Sequence, residues 1–146
     1  MAGCRRAHVI FSPTWSGQLP ETFSISIVDD DESVREAMGS LMRSYGYRTE
    51  TFESGASFLA SKARHDTDCL IADVQMPGMS GLELYGLLAA SDDPIPTIMI
   101  TARQDEAIRK RALASGVLCY LTKPFDEAHL LNCVRAAIGQ DDGVSR

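Results

Sequence analysis

Several features that would each point to a particular class of protein are missing from this sequence of 146 residues. No apolar run approaches the roughly 18 residues that a membrane-spanning helix needs, so we expect no contact with a membrane. The net charge of −6 provides no basic surface, which argues against direct binding of nucleic acid. His8, His65 and His129 do not have the spacing of zinc ligands. What remains is a chain of ordinary composition whose length suits one domain with one core.

Cysteine is present only four times and never as a Cys-x-x-Cys pair. We interpret Cys4, Cys69, Cys119 and Cys133 as buried or free thiols of a reducing compartment. The apolar residues 7–11 are too few to form the core of a signal peptide. These observations predict a cytoplasmic location.

The arrangement of the chain predicts one α/β domain between two terminal segments. Residues 1–22 mix Pro, Gly and Ser without a period, and we expect a disordered leader there, whereas residues 140–146 form a short polar tail. Between them, residues 23–139 alternate five short apolar runs with five helical patterns. This alternation predicts a doubly wound, five-stranded parallel sheet covered by helices on both faces.

Three of the predicted helices carry capping signals at their first turn. Ser33 with Glu36, and Ser80 with Glu83, have the spacing of a capping box, and Asp126 precedes the last helix. Apolar side chains along the first helix recur at helical spacing and form one stripe: Val34, Ala37, Met38, Leu41, Met42 and Tyr45.

Four of the predicted strands end in residues that can bind a cation or a phosphoryl group. In strand order these residues are Asp29 and Asp30, then Asp73, then Thr101, then Lys123. Because the carboxyl ends of parallel strands lie at one edge of a sheet, we expect these side chains to converge. Carboxylates, a hydroxyl and an ammonium group in one place suit Mg²⁺ and a phosphoryl group.

Four separated motifs resemble those of the receiver domains of two-component response regulators. They are SIVDDDESVREAM at residues 26–38, LIADVQMPGMSGLEL at 70–84, TIMITA at 97–102 and YLTKPF at 120–125. The resemblance covers residues 23–139 and is most like the receivers of FixJ/NarL-type regulators. It implies the flavodoxin-like, CheY-like fold, with a parallel sheet of strand order 2-1-3-4-5.

The resemblance also implies a role for each residue of the site. Asp73 would be the phosphoacceptor, taking a phosphoryl group from the phosphohistidine of a sensor histidine kinase. Asp30 would bind Mg²⁺ directly, Asp29 would bind it through water, and Gln75 would contribute its backbone carbonyl. Lys123 would pair with the phosphoryl oxygens. The protein would thus be a signalling phosphoacceptor and not an enzyme with a separate substrate.

Thr101 and Tyr120 are implied to form the switch. Thr101 would donate its hydroxyl to the attached phosphoryl group, and Tyr120 would move inward as Thr101 moves. The peptide bond between Lys123 and Pro124 is expected to be cis. The shift would change a surface at about residues 105–138, from the fourth helix to the fifth, where such domains dimerise or bind partners.

Two further positions are predicted to set how long the phosphoryl group lasts. Gln75 lies two residues after Asp73, and Arg103 lies two residues after Thr101. Both side chains should flank the path of an attacking water, and the small Ala102 leaves the phosphoryl site open. We hypothesise that Arg103 modulates autodephosphorylation from this position.

Several alternatives stay open at this point. A haloacid-dehalogenase-like phosphatase would need Asp-x-Asp, but Gln75 occupies the second position, and a flavin or nucleotide carrier would need a Gly-rich loop where residues 29–31 are acidic. A degenerate receiver could act as a phosphorylation-independent interaction module. Because seven residues after Gly139 cannot form an output domain, we expect either a stand-alone receiver or a fragment of a longer DNA-binding regulator.

Overall fold

The computed structural model describes residues 22–139; the predicted leader up to residue 21 and the tail at 140–146 lie outside them. One sheet of five parallel strands has the order β2-β1-β3-β4-β5, which confirms the predicted topology. Its strands are β1 (Ser24–Val28), β2 (Arg48–Phe52), β3 (Cys69–Asp73), β4 (Thr97–Thr101) and β5 (Cys119–Thr122). The helices are α1 (Glu32–Ser44), α2 (Gly55–Ala60), α3 (Gly81–Ala89), α4 (Glu106–Ser115) and α5 (Glu127–Ile138), with a short 3-10 helix at Lys62–His65.

The three central strands are buried on both faces, as their continuous apolar sequences predict. Only Ser24 of β1 and Asp73 of β3 are partly exposed among the residues of β1, β3 and β4. The edge strand β2 instead leaves most of its side chains exposed or half-buried. Because β1, β3, β4 and β5 run parallel, their polar carboxyl ends lie side by side at one edge of the sheet.

Helices cover the sheet in two layers. On one face, side chains of α1 and α5 pack with the inward residues of the strands around Ile27, Ile71 and Ile98. On the other face, α2, α3 and α4 pack against Val28, Ala72 and neighbouring strand residues. None of the helices within residues 22–139 combines the length and apolarity that crossing a bilayer requires.

The start of α1 differs from the sequence prediction. Asp31, not Ser33, is the N-cap residue, and its side chain accepts hydrogen bonds from the backbone N–H groups of Ser33 and Val34. The predicted box of Ser33 and Glu36 is wrong because the helix begins two residues earlier, at Glu32. The capping box of Ser80 and Glu83 is confirmed at α3.

The cysteines also differ in part from the prediction. Cys69 is a fully buried free thiol, as expected. Cys119 and Cys133, which we expected to be thiols, are joined as a disulfide between β5 and α5. Spacing along the chain could not reveal this pair, because the chain turns back between the two cysteines, which are separated by 14 positions, and places both in the same core layer. Cys4 lies outside the described residues.

Candidate functional site

Three acids converge at the carboxyl edge of the sheet. Asp29 and Asp30 follow β1, and Asp73 is the last residue of β3. One carboxylate oxygen from each residue lies within 4.8 Å of the other two. Asp29 is buried, with 2% of its surface exposed, whereas Asp73 is half-buried and Asp30 faces solvent. The cluster is thus anchored in the protein and open on one side.

Asp29 is the most strongly held member of the cluster. Its Oδ1 accepts a hydrogen bond of 2.9 Å from the backbone N–H of Asp31, and its Oδ2 lies 3.5 Å from Nζ of Lys123. Its backbone carbonyl accepts a hydrogen bond of 2.8 Å from Nη1 of Arg35 on α1. The resemblance suggested Lys123 as a partner for phosphoryl oxygens, and here its ammonium group is paired with an acid of the same site.

Asp73 has an unusual electrostatic environment. Burial raises the pKa of its carboxyl group to about 6, and the nearby charges of Asp29 and Asp30 also raise it. Lys123 and the backbone N–H of Gln75, which donates to Oδ1 at 3.4 Å, act in the opposite direction. Repulsion among the three acids therefore outweighs the single ammonium group in this arrangement.

The chemistry of this donor set fits a hard divalent cation. Such cations prefer oxygen ligands, and carboxylates supply both the oxygens and compensating charge. A cation among Asp29, Asp30 and Asp73 would relieve the repulsion that raises the pKa of Asp73. The site can therefore hold a divalent cation, and the cation would in turn allow an anionic ligand to bind beside the carboxylates.

The helix α3 begins directly against the backbone at the end of β3. Gly81 is its first residue, and a Cβ atom there would collide with the carbonyl oxygen of Asp73 and lie 3.1 Å from Cα of Val74. The N–H of Gly81 donates to the carbonyl of Val74 at 2.9 Å. This close approach fixes the chain on both sides of the loop after Asp73.

Thr101 lies beside Asp73 at the end of β4. In the register of the two strands Asp73 is paired with Ile100, so Thr101 is one residue further along. The Thr101 side chain is buried, and its hydroxyl accepts a hydrogen bond of 3.1 Å from the backbone N–H of Arg103. Arg103 itself is exposed.

Lys123 and Tyr120 come from the neighbouring edge strand. The peptide bond between Lys123 and Pro124 is cis, as predicted, and the N–H of Lys123 donates to the carbonyl of Thr101 at 2.8 Å. Tyr120 is half-buried and packs on the α4 side of the sheet; burial raises the pKa of its phenol. Beside it lies a polar depression lined by Gln104, Asp105, Glu106, Arg109 and Thr122.

Two residues of this region were not singled out from the sequence. Arg35 reaches back from α1 to the end of β1, and Gly81 permits the contact between α3 and β3. A signal existed only for Gly81, because a glycine at the first position of a capped helix is an unusual choice. Nothing in the spacing of Arg35 indicated that its guanidinium group would turn toward Asp29.

Comparison with known proteins assigns the family. The profile of the response regulator receiver domain matches residues 25–135. The chain therefore belongs to the response regulator receiver domain family, whose members act as signalling phosphoacceptors of two-component systems and bind a divalent metal through an acidic cluster. This assignment decides against the phosphatase and nucleotide-carrier interpretations.

Curated relatives share the domain but extend beyond it. The response regulator protein TmoT of Ectopseudomonas mendocina is 42% identical over 114 residues, which are 78% of this chain and 52% of TmoT. The transcriptional regulatory protein FixJ of Azorhizobium caulinodans is 36% identical over 122 residues, which are 84% of this chain and 58% of FixJ. The chain thus spans little more than half the length of these relatives.

Solved structures show the same fold. A response regulator receiver protein from Burkholderia phymatum is 40% identical, with a TM-score of 0.71 and coverage of 81% of this chain and 96% of that one. The FixJ-N structure is 29% identical, with a TM-score of 0.74 and coverage of 82% and 96%.

Proposed function

We propose that this chain is a working receiver in which Asp73 accepts a phosphoryl group from the phosphohistidine of a sensor histidine kinase. The observation that carries the proposal is the convergence of three carboxylates and one ammonium group at the carboxyl edge of the sheet. Of the three acids, Asp73 stands at the end of the central strand, half-buried and within the field of both other acids.

In the phosphoryl transfer, the protein would mainly position the reacting groups and neutralise charge. A carboxylate oxygen of Asp73 attacks phosphorus, the P–N bond of phosphohistidine breaks, and the histidine nitrogen keeps the bonding electron pair. The product is an acyl phosphate on Asp73. Lys123, whose ammonium group lies 3.5 Å from Asp29 of the same cluster, would turn toward the new phosphoryl oxygens and offset their charge.

The ion that suits the site best is Mg²⁺. We infer that Asp30 and Asp73 would bind it directly, with Asp29 acting through water and Gln75 through its backbone carbonyl. Bound Mg²⁺ would screen the phosphoryl oxygens from the carboxylates during transfer. The exposure of Asp30 leaves the open side of the cluster accessible to the ion and to the phosphodonor.

Phosphorylation would be read out through Thr101 and Tyr120. The Thr101 hydroxyl is held by the N–H of Arg103 in this structure, which we take as the resting arrangement. A phosphoryl group on Asp73 would attract the Thr101 hydroxyl toward its oxygens. The side chain of Tyr120 would then move inward, into the space that Thr101 leaves. The surface at residues 105–138 would then bind a partner or a second copy of the chain.

The lifetime of the acyl phosphate would depend on Gln75 and Arg103. Both residues are exposed, and each follows the site residue of its own strand by two positions. Their exposure and spacing support the proposal that their side chains flank the path of an attacking water.

The setting of the domain is also a proposal. We place it in the cytoplasm, where a sensor kinase presents its phosphohistidine. Because the matched region makes up little more than half of these relatives, we infer that the domain is either one part of a longer transcriptional regulator or a separate receiver that acts by contact.

Intact-mass spectrometry after incubation with acetyl phosphate and Mg²⁺ tests the proposal. We expect a gain of one phosphoryl group, which is lost in Asp73→Ala and after chelation of the metal. Asp92→Ala is the matched control, because Asp92 is an exposed acid outside the cluster and its loss should leave the gain intact. An unphosphorylated wild-type chain would instead favour the degenerate receiver.

A further inference from the structure

We propose that Cys119 and Cys133 form a reversible redox cross-link that holds the receiver in its resting arrangement. The two cysteines lie on different elements, β5 and α5, and their sulfur atoms are joined in this structure. Their Cα atoms are 6.4 Å apart, within the range that a disulfide bridges without movement of the backbone. The two elements are therefore placed so that the bond can form and break within the folded domain.

The surroundings of the cysteines separate this pair from the third described cysteine. Cys119 is half-buried and can be reached by a small oxidant, whereas Cys133 behind it is 4% exposed. Cys69 is fully buried, and burial raises the pKa of its thiol far above the usual value, so it stays protonated and unreactive. Oxidation is thus directed to Cys119, with Cys133 in place to resolve it.

The reaction balances with a hydroperoxide as the oxidant. The Cys119 thiol loses its proton and its sulfur attacks a peroxide oxygen, so that an S–O bond forms and the O–O bond breaks. The alkoxide or hydroxide that leaves takes up that proton as alcohol or water, and Cys119 becomes a sulfenic acid. The thiol of Cys133, held beside Cys119, then attacks the sulfur of Cys119, the S–S bond forms, and hydroxide leaves and takes up the proton of that thiol as water. Two electrons pass from the two thiols to the peroxide, and a dithiol reductant reverses the step by thiol–disulfide exchange.

The position of the cross-link gives it a means of acting on the switch. β5 is an edge strand that pairs only with β4 in the described sheet, and α5 packs mainly over β3 and β4. The disulfide therefore adds a covalent tie between α5 and the edge strand. Tyr120 is the next residue after Cys119 and faces the opposite side of the sheet.

The expected consequence is a bias toward the resting state. The sulfurs meet in the arrangement in which the Thr101 hydroxyl accepts from the backbone N–H of Arg103. Because the bond restrains β5 at the residue next to Tyr120, we expect it to favour this arrangement over one in which Tyr120 has moved. By thermodynamic reciprocity, the cross-linked chain should bind a phosphoryl group less well. This inference rests on the proposed function, including a reducing location in which such bonds are transient.

The test uses the full chain with Cys4→Ser, compared after treatment with dithiothreitol and after treatment with hydrogen peroxide. Alkylation under denaturing conditions should count three thiols in the reduced chain and one, Cys69, in the oxidised chain. Calorimetric titration with beryllofluoride, a phosphoryl mimic, in the presence of Mg²⁺ then gives the affinity of each form. We expect about fivefold weaker binding to the oxidised chain and full recovery after reduction.

Cys119→Ser is the control, because it removes the pair at its half-buried member and keeps the shape of the side chain. Its beryllofluoride affinity should be insensitive to peroxide. The proposal is overturned if peroxide does not remove two thiols, if both forms bind equally, or if the control responds in the same way. If neither form binds beryllofluoride, the proposed function fails and the regulatory role falls with it, while the thiol count still decides whether the cross-link forms.

Discussion

At the scale of the residue, the main feature of the site is a cluster of three carboxylates, Asp29, Asp30 and Asp73. Asp29 is buried, Asp73 is half-buried, and Lys123 places its ammonium group 3.5 Å from a carboxylate oxygen of Asp29. The pKa of Asp73 is raised to about 6, first by burial and then by Asp29. Such an arrangement costs stability when the site is empty of cations and gains affinity for them.

Asp73→Asn should stabilise the metal-free domain. Because the folded-state pKa of Asp73 lies above its unfolded value, the ionised carboxylate destabilises the fold in full above about pH 6. This cost shrinks as the pH falls below about 6, and it is gone below the unfolded-state pKa of about 3.9. After allowance for solvent screening, we expect a gain of about 1 kcal/mol near neutral pH that shrinks toward zero in acid. Urea unfolding at several pH values, with a chelator present, measures the difference.

The exposed Asp92→Asn serves as the control for the loss of one negative charge. It should change stability by less than about 0.5 kcal/mol at every pH. A less stable Asp73→Asn chain at neutral pH would contradict the electrostatic account of the cluster.

Gly81→Ala should be strongly unfavourable because there is no space for the added methyl group. The new Cβ atom would collide with backbone atoms at the end of β3, and these cannot move aside as a flexible side chain would. We expect a loss of about 1–3 kcal/mol in the free energy of unfolding together with slower phosphorylation. Gly86→Ala in the same helix is the control, because nothing lies within 4 Å of its added Cβ and it should gain about 0.5–1 kcal/mol. Equal behaviour of the two variants would remove the role assigned to Gly81.

Arg103→Ala should shorten the half-life of the phosphorylated chain. We proposed that this exposed side chain flanks the path of the attacking water, so its loss should open that path to the acyl phosphate. We expect about a threefold change, measured by the decay of the phosphorylated mass after the donor is removed. Arg48→Ala, at the amino end of β2, should leave the half-life unchanged. A half-life that stays the same in Arg103→Ala would show that Arg103 has no such role.

At the scale of the element, the helix starts decide where the loops of the site lie. Asp31 caps α1, and its N–H also donates to Oδ1 of Asp29, so one residue ends the acidic loop after β1 and begins the helix. Ser80 and Glu83 cap α3 reciprocally, which fixes the loop that follows Asp73. The caps therefore serve the geometry of the site as well as the stability of the helices.

Asp31→Ala and Ser33→Ala should differ, because only Asp31 caps α1 in the structure. Loss of the Asp31 carboxylate leaves the N–H groups of Ser33 and Val34 without this acceptor, which we expect to cost about 1 kcal/mol. Ser33→Ala should stay within about 0.5 kcal/mol of the wild type. Chemical denaturation of both variants at one pH measures this, and the reverse order would restore the capping box that the sequence suggested.

At the scale of the whole molecule, most of the fold and of the site could be predicted. Buried parallel strands are short apolar runs, and their ends are marked by the acids, the threonine and the lysine, so the topology placed these groups at one edge. What the sequence could not show are particular side-chain and backbone contacts between different elements. No periodic pattern in the sequence marks three of these contacts: the pairing of Cys119 with Cys133, the hydrogen bond from Arg35 to Asp29, and the close approach of Gly81 to Asp73.

The surface at residues 105–138 gives a prediction for assembly. Leu118 is 41% exposed just before β5, and a dimer formed through this surface would bury it. Beryllofluoride with Mg²⁺ should increase dimer formation in sedimentation experiments, and Leu118→Ser should weaken the association by about tenfold. Leu87→Ser is the control, because Leu87 is 52% exposed on α3, outside this surface. If both leucine variants dimerise like the wild type, the proposed surface is incorrect.

The central claim is that the phosphoryl group is carried by Asp73 and by no other acid of the cluster. Borohydride reduces an acyl phosphate to the alcohol, so treatment of the phosphorylated chain followed by peptide sequencing in the mass spectrometer identifies the modified residue. The account predicts homoserine at position 73 and unchanged aspartate at positions 29, 30 and 31. Homoserine at any of those three positions, or at none of the four, would contradict it.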